Sequence, residues 1–280
     1  MITALPRIAI AMPAAEYDDA VECFRSVFGM PVDDYSSWTV PDLGAHVGMC
    51  QPAPGSNVVL MAPSDPEAPL SQALQRFLDR RGTGIYALML EAPSPDDEAE
   101  RLSMRGMNVL PLMAGAGGRD VHPNSTHGVL IRVYPDGSVE QPIDPISESP
   151  HLSGIVRAIV AVDDAAAAAK TWGFGLGLQA TEAAPDAERG VLVATAQAPT
   201  GATVELVSPA DSSRPFGAEI ERRLMERGQG IAALVLEAED PVAATVTLGG
   251  RGLPHEVDGP FGPQVDAFGV SFVLSSPRSL

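Results

Sequence analysis

The chain has 280 residues, of which 45% are apolar, and a formal net charge of −18 at pH 7. This length suits one or two domains of about 100–200 residues each. The negative charge disfavours nucleic acids and anionic membrane surfaces as partners, because both would be repelled. The only cysteines are Cys23 and Cys50, which excludes a disulfide framework and a cysteine-rich metal site.

The sequence also bears on where the protein works. Residues 1–16 lack the charged start and long apolar core of a signal peptide. No run of about 18 or more apolar residues is long enough to form a membrane-spanning helix. We therefore expect a cytoplasmic protein whose partners include neither a membrane nor nucleic acid.

In the first half, hydrophobic periodicity predicts two modules that each contain a strand, a helix and further strands. The first module consists of the strand 7–12, the helix 17–28 and the strands 46–51 and 57–62. The second consists of the strand 85–91, the helix 95–105 and the strands 119–122 and 128–134. A polar, proline-rich segment follows, so we predict a domain 1–135 and a linker 136–152.

The second half, predicted as a domain 153–280, shows the same order of elements. Its first module consists of the strand 157–162, the helix 164–172 and the strands 191–196 and 202–207. Its second consists of the strand 231–237, the helix 241–248 and the strand 270–275. Asp163 or Asp164 is the expected N-cap of the first helix and Gly173 its expected end.

An internal repeat supports this division. Residues 70–92 and 216–238 are identical at 11 of 23 positions. Each copy predicts an amphipathic helix, a Gly-x-Gly break and an apolar strand that ends in Glu-Ala. The match indicates a gene duplication and hence two halves with the same fold.

Four segments resemble the vicinal oxygen chelate superfamily, which includes glyoxalase I, extradiol dioxygenases and antibiotic-resistance proteins. They are VVLMAPSDPEAPLSQAL (58–74), FLDRRGTGIYALMLEA (77–92), GAGGRDVHPNSTHGVLIRV (115–133) and AVDDAAAAAKTWGFGLGL (161–178). The resemblance is closest to the methylmalonyl-CoA epimerases. It implies an α+β fold with four βαβββ modules, arranged as two tandem glyoxalase-like domains.

The resemblance also implies where a metal ion would bind, since the family takes one ligand from each of four strands of a half. Those positions are Arg7, Val59, Ala87 and Arg132 in the first half, and Arg157, Glu205, Ala233 and Val273 in the second. One carboxylate among eight residues cannot hold a divalent cation. Pairing modules across subunits gives no better set, so we expect neither a metal nor another cofactor.

Strand alternation predicts which side chains line the concave face of the first half, here called the N-terminal cup. The cup should be formed by Arg7, Asn57, Val59, Met61, Ala87, Met89, Glu91, Arg132 and Tyr134. Tyr86 is expected on the opposite face. Arg7 and Arg132 are the candidates for stabilising an oxyanion, with Glu91 as catalytic base and as the only charge that offsets them. The other six residues would contact the substrate.

The corresponding face of the second half, the C-terminal cup, carries Arg157 and Glu205 at neighbouring ligand positions. We expect an internal ion pair between them, and a scaffolding role for this half. The N-terminal cup is therefore the predicted ligand site, with a partly apolar ligand that carries a carbonyl or an anion.

Three functions fit these residues. The resemblance implies a metal-independent isomerase, epimerase or lyase that acts beside a carbonyl of a small organic or acyl-thioester substrate. The alternative is a protein that sequesters a small molecule without chemistry, for which an apolar cup with few polar groups suffices. A third is a scaffold that acts through protein contacts only. A homodimer is left open.

Overall fold

The computed structural model describes residues 1–36, 44–113, 117–138 and 148–277 of the chain. These residues form an α+β fold with two large β-sheets, as the sequence predicted. Within the described ranges, no helix combines the length and hydrophobicity needed to cross a membrane. Residues 139–147 of the predicted linker lie outside the description, so the proposed domain boundary stays a prediction.

The first sheet is built mainly from the first half. Its strands are β1 (Ala4–Ala11), β2 (Val32–Asp34), β3 (Ala45–Cys50), β4 (Asn57–Pro63), β5 (Gly84–Ala92), β6 (Arg119–Val121) and β7 (Leu130–Pro135). Their order is β2-β3-β4-β1-β5-β7-β6. β1 and β5 are antiparallel at the centre, and each is parallel to the last strand of its own module, β4 or β7. This is the predicted pair of modules.

The second sheet repeats that arrangement. Its strands are β8 (Ile155–Ala161), β9 (Gln179–Ala180), β10 (Ala184–Asp186), β11 (Val191–Gln197), β13 (Thr203–Pro209), β14 (Gly230–Glu237), β15 (His255–Gly259), β16 (Gly262–Ala267) and β17 (Val270–Ser275). Their order is β10-β11-β13-β8-β14-β17-β16-β15, with β9 paired to β11. The short strand β12 (Thr200–Gly201) pairs with β1 of the first sheet, so the two halves share backbone hydrogen bonds.

The helices are α1 (Tyr17–Glu22), α2 (Pro69–Arg81), α3 (Pro95–Met104), α4 (Ala165–Lys170), α5 (Pro215–Arg227) and α6 (Pro241–Gly250). Asp164 caps α4, because its side chain accepts hydrogen bonds from the backbone amides of Ala166 and Ala167. This confirms one of the two predicted caps. The predicted end at Gly173 is wrong. A π-helical turn, Thr171–Gly175, extends α4, and the chain turns at Gly177 with φ +74°. The first half has the same arrangement: a π-helical turn, Cys23–Val27, follows α1, and the chain turns at Gly29 with φ +70°.

The main hydrophobic core lies between the sheets and contains residues of α1, α3, α4 and α6. Phe24 and Phe28, in and just after the π-helical turn that follows α1, contact Phe272 of the second sheet, with ring centroids 5.8 and 5.3 Å apart. Two smaller cores occupy the outer, concave faces of the sheets, one under α2 and one under α5. The helix layer therefore joins the two halves, while each cup opens on the outside.

The predicted alternation is confirmed for most positions. Ile8 and Ile10 lie in the central core, whereas Ala9 and Ala11 lie in the outer core of the first sheet. Tyr86 is the exception: it lies in the outer core and not on the opposite face. The pairing of β1 with β5 shifts by one residue between Ala9 and Ile10, and such a bulge reverses the side-chain direction.

The duplication is confirmed in detail. The helices α2 and α5 occupy equivalent positions in the two repeats, and each ends at a glycine with positive φ, +73° at Gly82 and +70° at Gly228. β14 has a register shift between Ile231 and Ala233, at the positions equivalent to the shift in β5. Both copies thus have the same helix, the same glycine break and the same bulged strand.

Candidate functional site

Adjacent strands align several predicted residues in one row across the N-terminal cup. Asn57 on β4 pairs with Arg7 on β1, Arg7 pairs with Met89 on β5, and Met89 pairs with Arg132 on β7. All four residues are at least nine-tenths buried. The four strands therefore bring Asn57, Arg7, Met89 and Arg132 together, as the alternation predicted.

The two arginines of this row share an aromatic partner. The guanidinium carbon of Arg7 lies 4.4 Å from the centre of the Tyr134 ring, and that of Arg132 lies 5.3 Å from it. Arg7 also donates a hydrogen bond from Nη2 to Ser138 Oγ. Its Nε is buried and has no hydrogen-bond partner among the described residues. Burial lowers the pKa of the Arg7 guanidinium, against the attraction of Tyr134 and Glu91.

Glu91 lies in the same cluster but is fully engaged. Its Oε1 accepts hydrogen bonds from the Ser138 amide at 3.0 Å and from the Ser138 hydroxyl at 2.6 Å. Its Oε2 accepts one from the Gly137 amide at 3.2 Å. Three donors stabilise the carboxylate and occupy the lone pairs that a catalytic base would need.

Asp120 is a member of this cluster that sequence reasoning missed. It pairs with Arg132 across β6 and β7, and its Oδ1 lies 3.5 Å from Arg132 Nε. Burial raises the pKa of the Asp120 carboxyl, although Arg132 opposes the shift. The contact between Asp120 and Arg132 depends on the register of the β6–β7 hairpin. The alternation of a single strand does not predict that register. Glu91 is thus not the only carboxylate that offsets the arginines.

The remaining predicted residues form the floor of the N-terminal cup. Val59, Met61 and Ala87 are buried in the outer core together with side chains of α2. Phe77 of α2 makes an edge-on ring contact with Tyr86, with ring centroids 5.3 Å apart. At the equivalent positions of the second repeat stand Arg223 and Ala232. Phe77 and Tyr86 therefore fill part of the N-terminal cup with aromatic rings, whereas the C-terminal cup has no aromatic residue at these two positions.

The C-terminal cup contains the ion pair that the sequence predicted. Arg157 Nη1 lies 3.0 Å from Glu205 Oε1. Arg189, which sequence reasoning missed because it lies in the turn before β11, binds Glu205 Oε2 at 2.9 Å and Asp186 at 2.7 Å. Burial alone would raise the pKa of Glu205, but Arg189 and Arg157 outweigh it and the pKa is lowered. Glu205 is therefore ionised and weakly basic at neutral pH.

An open cavity of about 560 Å³ lies beside this ion-pair cluster. Its apolar lining includes Phe216 of α5, Phe261, Val235 and Val273. Two arginines, Arg157 and Arg189, and two glutamates, Glu188 and Glu205, provide the charged groups at its wall, and the two arginine side chains are 20% and 28% exposed. A cavity of this volume, with aromatic walls and a few polar groups, has the properties of a small-molecule site.

Neither cup fits the divalent metal ion that the sequence resemblance implies. Arg7 and Arg132 present guanidinium groups, which stay protonated and cannot donate a lone pair to a metal. Glu205 is the one possible ligand at the corresponding positions of the second half, and two arginines already neutralise it. Within the described ranges, no group of three or more His, Cys, Asp or Glu side chains is arranged to hold a metal ion.

Comparison with known proteins identifies the fold. No protein-family model and no curated protein sequence matches the chain. A variant of 4-hydroxymandelate synthase from Streptomyces coelicolor is 14% identical, with a TM-score of 0.62, over 91% of this chain and 76% of that one. A fusion of a xylose isomerase-like barrel with 4-hydroxyphenylpyruvate dioxygenase is 11% identical, with a TM-score of 0.59, over 91% and 39%.

A shorter solved structure matches about half of the chain. Methylmalonyl-CoA epimerase from Streptomyces coelicolor, in complex with 2-nitronate-propionyl-CoA, is 24% identical over 51% of this chain and 100% of that one, with a TM-score of 0.40. The sequence resemblance predicted the superfamily of the 4-hydroxymandelate synthase and of the dioxygenase fusion. The described residues therefore have the two-domain fold of these vicinal oxygen chelate proteins.

Proposed function

We propose that this protein binds a small organic molecule in the C-terminal cup, without a metal ion and without chemical conversion. The cavity of about 560 Å³ carries this proposal, because a ligand site needs open volume beside apolar and polar groups. Arginine recognises carboxylate and carbonyl oxygens through several parallel N–H donors. The favoured ligand is therefore an aromatic or aliphatic carboxylate, with its apolar part against Phe216 and Phe261.

Binding is favoured over catalysis by the state of the carboxylates. An isomerase or lyase acting beside a carbonyl needs a base that can take a proton. Glu205 is held by two arginines at a lowered pKa, and Glu91 accepts three hydrogen bonds. Both carboxylates are thus occupied by donors within the protein, which suits a structural or binding role.

The N-terminal cup is a second candidate site, with Arg7 and Arg132 as the residues that hold the ligand. The buried Arg7 Nε without a partner among the described residues favours it, because an oxygen of a bound ligand would satisfy that donor. In this alternative, Arg7→Ala or Arg132→Ala weakens binding by about 10-fold or more. Glu91 would be the base if the site were catalytic.

Ligand-observed fluorine NMR with a fluorobenzoate as probe tests both candidates. Val235 and Met89 occupy equivalent positions in the two repeats, and both are buried. Val235→Phe should fill the C-terminal cavity and abolish the line broadening of the probe, whereas Met89→Phe should leave it unchanged. The opposite result would assign the site to the N-terminal cup.

The catalytic alternative has its own readout. In heavy water, an isomerase or lyase that removes a proton beside a carbonyl exchanges that proton of its ligand for deuterium. Proton NMR of butanoate, a carboxylate with protons beside its carbonyl, should show no exchange beyond the rate without protein. Exchange that disappears in Glu91→Gln would contradict the binding proposal and support the isomerase or lyase.

A further inference from the structure

A separate cleft lies where the two repeated helices end. The last residues of α2 and α5 face each other, and Arg81 Nη1 donates a hydrogen bond to the carbonyl oxygen of Arg227. A cavity of about 490 Å³ opens here. Its charged lining consists of Arg80, Arg81, Arg223, Arg227 and Glu226, and we call it the arginine cleft. It shares none of the charged residues of the two cups.

The concentration of positive charge is unusual for this chain. The whole sequence has 18 lysines and arginines against 36 acidic residues, yet four arginines and one glutamate line this cleft. Glu226 is already paired with Arg222, which lies outside the lining. The cleft is therefore a local basic site on an acidic protein, which an anion needs in order to approach.

The protein itself neutralises only part of this charge. Arg223 pairs with Glu219 at 2.8 Å and donates to Ser271 at 3.1 Å. The charge of Arg81 is stabilised by the C-terminal end of α5, where Arg81 donates to the Arg227 carbonyl oxygen, because the terminal carbonyls of a helix attract cations. For Arg80 and Arg227, no ion pair forms anywhere in the described ranges, and both side chains are exposed. Two free guanidinium groups thus remain beside a third that is bound to a carbonyl.

The walls of the cleft indicate what a ligand would look like. A second cavity of about 360 Å³ adjoins the first and shares Phe77, Ile85 and Ile231 with it. Arg76 and His122 also line this second cavity. The combined space therefore offers guanidinium groups for oxyanions and an apolar wall for an organic group.

The duplication explains why the cleft exists. Gly128 packs against the backbone of Gln229, and Gly269 packs in the same way against Thr83. These reciprocal contacts hold the ends of α2 and α5 together across the two halves. Since both copies carry the sequence Arg-Gly-x-Gly-Ile, the duplication itself brings Arg81 and Arg227 to the same place.

We propose that the arginine cleft binds a small molecule that carries a diphosphate or a comparable oligophosphate group, with its organic part against Phe77 and Ile231. Arginine binds such groups through parallel N–H donors on a planar fork, which suits phosphate oxygens. The ligand would bridge the helices of both halves and stabilise their association. This site is independent of the proposed carboxylate site in the C-terminal cup.

Calorimetric titration with inorganic pyrophosphate tests the proposal. Wild type should bind one pyrophosphate per chain, and the double variant Arg80→Ala, Arg227→Ala should bind it about 10-fold or more weakly, because two charged donors are lost. The control is Arg25→Ala, Lys170→Ala, which removes the same charge from exposed positions outside the cleft. It should change the dissociation constant by less than about 3-fold, because the screening of distant surface charges is strong.

Further readouts keep the result interpretable. Circular dichroism and unfolding without ligand should be the same in both double variants, since the replaced residues are exposed. Phenyl phosphate should bind more tightly than inorganic phosphate, because its ring reaches the apolar wall. Heat without saturation, or equal weakening in the two double variants, would overturn the proposal. Fluorobenzoate binding in the same variants reports on the C-terminal cup separately and should not change.

Discussion

Glu205→Gln removes the carboxylate that Arg157 and Arg189 share in the C-terminal cup. The two oxygens of Glu205 lie 3.0 and 2.9 Å from the arginine nitrogens, and the Glu205 side chain is 5% exposed. Breaking a buried ion pair by removing one partner costs about 3–5 kcal/mol. Because the arginines are 20% and 28% exposed, water compensates part of this loss. We expect the free energy of unfolding to fall by about 2–3 kcal/mol at neutral pH.

The effect should depend on pH in a defined direction. The pKa of Glu205 is lowered from its ordinary value of 4.5, since the arginines outweigh burial. A carboxyl with a lowered folded-state pKa stabilises the protein above its unfolded-state pKa, and this contribution is lost as the pH falls through the folded-state pKa. The difference between wild type and Glu205→Gln should therefore be constant near neutral pH and shrink below pH 4.5.

Urea unfolding at several pH values measures this difference, with Glu182→Gln as the matched control. Glu182 lies in the same half and is exposed, so its replacement should change the free energy of unfolding by less than about 0.5 kcal/mol. Equal stability of wild type and Glu205→Gln at neutral pH would refute the reasoning. So would a difference that stays undiminished as the pH falls well below 4.5, because a lowered folded-state pKa makes this contribution decline there.

Three further outcomes are expected. Elemental analysis of the purified protein should find no stoichiometric divalent metal; one tightly held zinc, iron or manganese per chain would contradict the ligand assignment. Gly128→Ala should cost more than about 3 kcal/mol in urea unfolding, because its Cβ would lie 2.0 Å from the Gln229 oxygen. Gly117→Ala, with positive φ but open space, should cost about 1–2 kcal/mol. Phe24→Ala should cost about 3–5 kcal/mol; a smaller loss would question the shared core.

The fold was largely predictable because the sequence contains the same information twice. Alternation separated Ile8 from Ala9, and the repeat identified equivalent helices and strands. The missed strands β15 and β16 have few apolar residues, since their side chains are largely exposed or half-buried. The predicted face of Tyr86 was wrong because the bulge in β5 arises from its pairing with β1. The sequence of β5 alone does not show that pairing.

The charges of the two cups were harder to predict. The Arg157–Glu205 pair followed from ligand positions on neighbouring strands, and it is confirmed at 3.0 Å. Asp120 and Arg189 join these clusters through a hairpin register and a turn, so their partners depend on three-dimensional folding. The sequence also does not show where open volume lies. The cavity beside Arg157 and Glu205 therefore changes our preferred ligand site from the N-terminal to the C-terminal cup. The assignment of Arg7, Arg132 and Glu91 stays a prediction.

The most direct test of the central claim is calorimetric titration of chelator-treated protein with benzoate. The account predicts saturable binding of one benzoate per chain, unaffected by added zinc or manganese. Binding should be lost in Val235→Phe and retained in Met89→Phe. Should overpacking unfold Val235→Phe, Arg157→Ala gives a second measure, with an affinity about 10-fold or more below that of wild type. Binding that requires a metal, or that survives both changes in the C-terminal cup, would contradict the account.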